Sequence, residues 1–181
     1  GVSFPVLAEG FRKGGKGMQN DFRGMLAPIF ELKEGPFLLV PVFVVPVEIF
    51  SRGMMTRTSY SFHVALVDAV NGQVTLLPQK SVVVLDMELP EGKSLEPRVT
   101  RERAIDLAEE AARLVGKGKW TGALRYNSVM VDRERVRSTW RVWKVEGESL
   151  VDSSTGRREN LGSLLVALLG EAKNPPDSSE P

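Results

Sequence analysis

The sequence predicts an α+β fold, an antiparallel sheet carrying one packed helix, and three observations support that expectation. Residues 100–115 hold an alanine-rich stripe at helical spacing. Residues 60–66 alternate in the manner of a half-buried strand. Two turns of D-x-x-polar-G spacing, at 68–72 and 152–156, close separate runs of strands, so the chain reads as two related halves of one body.

The helix is the clearest element. Thr100 is a favourable N-cap. Ile105, Ala108, Ala112 and Val115 form one stripe, with Ala104, Leu107, Ala111 and Leu114 beside it, while Arg101, Arg103, Glu109, Glu110 and Arg113 take the outer positions. Gly116 supplies a stop. Side chains this small imply close packing on a sheet.

Residues 37–50 (FLLVPVFVVPVEIF) are apolar and β-branched, as a strand requires. Pro41 and Pro46 cannot donate to a ladder, so the strand is expected at an edge, bulged, or broken in two. Tyr60, Phe62, Val64 and Leu66 then alternate with Ser61, His63 and Ala65. Asn71-Gly72 is a favoured hairpin turn, and residues 73–77 return from it. Residues 82–89 (VVVLDMEL) read as a further strand, stopped by Pro90-Glu91-Gly92. Residues 123–131, 136–145 and 149–152 read as a three-strand meander whose first turn is Asp132-Arg133-Glu134-Arg135. Near the start, Met18, Phe22, Met25, Leu26, Ile29 and Phe30 recur at helical spacing, with Pro28 ending or kinking the helix near Ala27. Near the end, Leu161, Leu164, Leu165, Leu168 and Leu169 form a short apolar helix before Gly170.

The stretch 100–156 resembles a PepSY domain, a helix followed by an antiparallel meander and a V-D-x-x-T-G-type turn. The residues that carry the resemblance are Arg103-Ala-Ile-Asp-Leu-Ala in the helix, Trp140-Arg-Val-Trp-Lys-Val in the strand, and Leu150-Val-Asp-Ser-Ser-Thr-Gly in the turn. Residues 63–74 (HVALVDAVNGQV) resemble the same terminal hairpin. The expected fold class is therefore α+β with two related PepSY-like halves. Its organisation is an N-terminal loop and short helix over 1–35, a β-rich half over 36–90, a linker over 91–99, a PepSY-like half over 100–170, and a tail over 171–181. The resemblance implies a non-catalytic binding or inhibitory module, envelope-associated or secreted; without it the chain is at home in the cytoplasm.

Composition narrows the chemistry. A chain of 181 residues suits one well-cored domain or two small ones sharing a sheet. The absence of cysteine removes thiolate nucleophiles, disulfides and thiolate metal sites, and a single histidine removes His-rich metal sites. No cofactor is expected. No apolar run reaches the roughly 18–20 residues of a membrane helix. The first residue is Gly rather than Met, which reads as a processed or truncated N-terminus and leaves a signal or anchor upstream open. The net charge of +1 conceals a gradient: residues 98–145 carry twelve Lys/Arg against six Asp/Glu, and residues 146–181 carry three against seven.

Each catalytic or metal motif meets a simpler explanation. Residues 10–16 fit G-x-x-x-x-G-K, but the Ser/Thr that holds Mg²⁺ in a phosphate loop is replaced by Gly17, and no parallel βα unit is indicated. Asp68 and Asp152 open D-x-x-x-G turns that look like calcium loops, yet neither turn contains a second carboxylate, and Asx turns account for both. His63 has no partner in the sequence. The expectation is a non-enzymatic protein-binding or assembly module that docks or self-associates through Leu161, Leu164, Leu165, Leu168 and Leu169. The runner-up is a single-stranded nucleic-acid binder using the basic aromatic stretch 117–144, with Arg133, Arg135, Arg137, Arg141, Trp140 and Trp143 in contact.

Overall fold

A computed structural model describes residues 21–53, 59–115 and 125–163. The phosphate-loop-like stretch 10–17, Leu164, Leu165, Leu168, Leu169 and the tail lie outside the described residues.

The α+β expectation of two PepSY-like halves is corrected by the sheet. The described chain is mostly β, one mixed ten-stranded sheet carrying a single full helix. Its strands are β1 (Met25–Leu26), β2 (Phe37–Gly53), β3 (Ser59–Asp68), β4 (Val74–Pro78), β5 (Val84–Leu85), β6 (Lys93–Ser94), β7 (Arg125–Val131), β8 (Arg137–Glu146), β9 (Ser149–Asp152) and β10 (Arg158–Asn160), and the helix is α1 (Arg101–Leu114). The main path runs β10-β9-β8-β2-β3-β4, with β1, β5, β6 and β7 off it. Two of the pairings, β1 with β8 and β2 with β6, are parallel.

The strand β2 organises everything else, and it overturns the expectation of an edge or broken strand. It runs unbroken for 17 residues through the middle of the sheet. One side pairs with β6 and then β3, the other with β8 and then β7. Its two prolines are accommodated by breaks in their neighbours. Along a strand, the N–H and C=O of one residue face the same side. The Pro46 carbonyl accepts from the Asp132 amide at 3.1 Å, so its missing N–H faces the detour 132–136 between β7 and β8. The Pro41 carbonyl accepts from the Ala69 amide at 2.9 Å, so its missing N–H faces the break between β6 and β3.

That detour also corrects the expected meander. The stretch Arg133–Arg135 is a 3₁₀ turn, but β7 and β8 do not fold back on each other. They follow one another along β2, antiparallel to it, Val131 opposite Val47 and Arg137 opposite Val44.

Both faces of β2 are buried along its first half. On one face, Phe37, Leu39, Phe43, Val45, Val47 and Ile49 pack with Ala65 and Val67 against Ala104, Ile105, Ala108 and Ala112 of α1. Alanines at these positions let the helix lie close to the sheet, and Thr100 Oγ1 caps it by accepting from the Arg103 amide. Leu114, beside the stripe in sequence, is exposed. On the opposite face, Leu38 and Val40 meet Val70, Leu95, Trp143 and Leu150, while Val42 and Val44 meet Leu26, Val64 and Leu66. Partly buried Leu77, Val82 and Val84 complete that second cluster.

The remaining short elements serve this second layer. Residues 25–26 are strand rather than helix, with Met25 opposite both Leu85 and Trp140. Only Val84 and Leu85 of the stretch 82–89 join a ladder. Residues 93–95, inside the expected linker, pair with β2 and bury Leu95.

The two D-x-x-x-G turns are alike in their bonds. In each, the Asp amide donates to the carbonyl five residues on (Gln73, Arg157), and the Gly amide donates back to the Asp carbonyl. In each, the Asp carboxylate accepts from the amide two residues on, at 2.7 Å from Val70 and 2.8 Å from Ser154. Gly72 and Gly156 both take φ of 75°, a left-handed conformation that favours glycine. These bonds occupy both aspartates as turn formers. They end two hairpins that lie on opposite flanks of the β2–β8 pair.

Candidate docking surface

Past Pro46, β2 outruns its cover. Cross-strand register places Met130, Glu48 and Phe62 in one row, and Ser128, Phe50 and Tyr60 in the next. These are even-numbered positions of β2 and their partners, the same face that buries Leu38 to Val44 further back. Here no described element lies over them. Phe50, Tyr60, Phe62 and Met130 are 37, 53, 51 and 66% exposed. Together they leave on the order of 400 Å² of apolar surface bare, the scale at which the largest patch on a monomer is often functional.

The rings stand against one another rather than lying flat. Phe50 and Tyr60 have centroids 6.3 Å apart at 70°, and Tyr60 and Phe62 are 5.0 Å apart at 80°. Such edge-to-face pairs fix ring orientation and contribute about 0.5–1.5 kcal/mol beyond burial. Glu48 is the only charged residue in the two rows. It is half-buried, and its Oε2 accepts from the Tyr60 hydroxyl at 2.5 Å. That hydrogen bond is the main reason the phenol is pushed above its usual value, since losing the proton breaks it.

The strand edges here are also unpaired among the described residues. The last partner of β3 in β4 is Pro78, opposite His63, and the chain then turns away through Gln79–Ser81. Tyr60 and Phe62 lie beyond that point, so no described strand pairs with the outer edge of β3 there. Nor does a described strand pair with the outer edge of β7. Rows of unpaired backbone groups at sheet edges are templates for an incoming chain.

The residues expected to bind nucleic acid occupy other positions. Trp140 and Trp143 are 9 and 4% exposed and point to opposite faces, Trp140 among Phe22 and Phe43, Trp143 among Leu38 and Leu150. Neither offers a bare ring for base stacking. Arg133 pairs with Glu102, Arg135 with Asp132, Arg137 with Asp86, and Arg141 with Asp152. The four arginines are thus spread among separate carboxylates. Of the expected docking leucines, Leu161 packs partly buried against the Leu38–Trp143 cluster, and the others lie outside the described residues.

A buried polar knot lies behind the turns. Arg141 sits over the Trp143 ring at 6.0 Å, with its Nε 3.5 Å from Asp152 Oδ2. Burial pushes the Asp68 carboxyl up, opposed by the amides of Asn71 and Val70 and by Arg141. Thr139 Oγ1 and Ser153 Oγ are buried without a hydrogen-bond partner. The histidine ring is half-buried in β3, with Nδ1 unpartnered. An apolar cleft of about 520 Å³ runs along the strap 28–33 beside Met87 and Pro90. A second of about 210 Å³ lies between Leu66, Leu77, Val83 and the 154–155 turn. Among the described residues, no three His, Cys, Asp or Glu side chains gather as a metal site, and no helix is long and apolar enough to cross a membrane.

Sequence reasoning missed this surface although its residues were in view. Tyr60 and Phe62 share a face with Val64 and Leu66, so alternation assigns all four to the interior. The missing information is where the cover stops. Compared with known protein families, curated proteins and solved structures, the chain matches none.

Proposed function

We propose that this protein is a non-enzymatic protein-binding or assembly module whose docking surface is the bare aromatic face of β2, β3 and β7. The observation that carries this reading is the position of Phe50, Tyr60, Phe62 and Met130, four large apolar side chains on one face of the β3–β2–β7 end of the sheet, while the other half of β2 is covered on both faces. Leaving such side chains in water gives up about 1.5–3 kcal/mol apiece relative to burial, which a partner recovers on binding. About 400 Å² is half of the roughly 800 Å² per partner in a stable interface. The free edges of β3 and β7 provide the remaining contact, through backbone bonds to an extended chain. Leu161, Leu164, Leu165, Leu168 and Leu169 remain a second candidate docking element, of which only Leu161 is described, partly buried against the Leu38–Trp143 cluster.

The test is a photo-crosslinking residue placed at position 62 or 130, with position 31 on the exposed strap as the control. It is combined with light scattering across a concentration series for wild type and Phe62→Ser. Docking through this face gives discrete adducts or dimers from 62 and 130, absent from 31, and association that Phe62→Ser weakens about tenfold or more, the scale of one hot-spot residue. Indistinguishable adducts from all three positions, with association untouched by Phe62→Ser, contradict it.

A further inference from the structure

We infer that the aromatic face is a cation-recognition site, built so that a Lys or Arg side chain of the partner enters between the rings and meets the Glu48 carboxylate. This deepens the docking reading and rests on it. Four observations converge. Glu48 is half-buried, and no described Lys, Arg or His pairs with it, whereas every other described carboxylate that is not exposed has a cation acting on it, Glu109, Asp132, Asp152 and Glu159 in ion pairs and Asp68 through Arg141. A partly desolvated carboxylate gains from an opposite charge more than an exposed one does. Its immediate surroundings are Phe62 and Met130 in its own row, with Phe50 and Tyr60 in the next. The rings are held nearly perpendicular, Phe50 to Tyr60 and Tyr60 to Phe62, presenting both edges and faces. A cation over a ring face is attracted by its quadrupole. Finally, the Tyr60 hydroxyl donates to Oε2, which orients the carboxylate and leaves its other oxygen, Oε1, to accept from an incoming N–H.

The occupant follows from the charge. An apolar partner segment would bury Glu48 with the Tyr60 hydroxyl as its donor but no countercharge, which argues against a purely hydrophobic ligand. A cationic side chain with an aliphatic stem satisfies both parts of the surface, its stem lying on Met130 and Phe62 and its head on Glu48. The face therefore selects basic–apolar segments of a partner protein.

The experiment titrates n-butylammonium, n-butylguanidinium and neutral n-butanol into the full chain. It follows the ring resonances of Phe50, Tyr60 and Phe62 by NMR and the phenol titration by ultraviolet absorbance. Both cations are expected to shift the three rings saturably in the millimolar range, with butanol at least about fivefold weaker. Glu48→Gln, nearly isosteric at an accessible position, is expected to remove that preference. A bound cation is also expected to lower the Tyr60 titration toward its ordinary value, because it offsets the carboxylate. Equal shifts from butanol, or a cation preference unchanged by Glu48→Gln, overturn the inference. Such a result leaves the docking reading intact, since crosslinking from 62 and 130 does not depend on charge.

Discussion

The two halves of β2 are both rich in apolar side chains and meet different fates. From Phe37 to Val44 both faces are buried, one under α1 and one against Leu95 and Trp143 and then Leu26, Val82 and Val84. From Glu48 to Phe50 the described residues cover only the α1 face. Leu38 and Phe50 belong to one strand and point the same way, yet one is 6% exposed and the other 37%. A strand's apolarity therefore says that it has faces to bury, while the surrounding topology decides how many of them are buried within the chain. In the second half of β2, one face has no cover among the described residues.

Breaking the covered half at its polar knot has the largest expected effect. Arg141→Ala leaves Asp152, only 4% exposed, without its cation. Loss of a buried partner costs about 3–5 kcal/mol, read as a fall in the urea midpoint, while ligand binding at the far end stays unchanged. A wild-type midpoint would show that the knot contributes no stability.

The matched pair Leu38→Ala and Phe50→Ala sharpens the contrast next. Removing Leu38 empties space in a closed cluster and costs about 2–5 kcal/mol. Removing the larger Phe50 side chain, part of whose surface is already in water, costs less, about 1–2 kcal/mol including its edge-to-face pair with Tyr60. If Phe50→Ala destabilises as much as Leu38→Ala, the bare face is covered in solution.

Smaller again are the turns. Gly72→Ala and Gly156→Ala each impose a left-handed conformation on alanine, at about 1–2 kcal/mol. Gly156 is the worse site, because its new Cβ meets Ile29 Cδ1 at 3.0 Å, while the nearest atom to Gly72 is 3.4 Å away. Equal costs would show that Ile29 moves aside freely.

The smallest effect is in pH. Burial raises the Asp68 carboxyl above its ordinary value, so the folded state holds this proton more tightly than the unfolded chain. Stability from this group is thus gained as pH falls through the raised value and lost as pH rises across the window between the ordinary and raised values. Asp68→Asn, which keeps the accepting oxygen of the turn, is expected to flatten that slope in urea midpoints measured from acid to neutral pH. An unchanged slope would assign it to other groups.

Much of this molecule was legible in local chemistry. The α1 helix follows from its alanine spacing and Thr100, and both aspartate turns from their glycines, because each depends on residues within one or two turns of chain. What was not legible depends on distant partners. Asp132 to Arg135 looks like a hairpin turn because it is short and charged. It is instead a detour opposite Pro46, far earlier in the chain, whose absent N–H removes a ladder bond at that point. Ala65 reads as the wet side of β3 until α1 is seen over it. Tyr60 and Phe62 read as core because nothing in their own segment records that the cover from Leu26, Leu77, Val82 and Val84 ends at the level of Val64 and Leu66. Trp140 and Trp143 read as platforms among arginines, whereas alternation on β8 sends one into each buried face.

Hydroxyl-radical footprinting of the dilute protein tests the open face most directly, because it reads the cover residue by residue along one sheet. A face left bare within the chain predicts rapid oxidation of Phe50, Tyr60, Phe62 and Met130, and strong protection of Leu38, Trp140 and Trp143. Protection of the four aromatic-face residues at a dilution where the chain is monomeric would contradict it, because the face would then be closed within the chain itself.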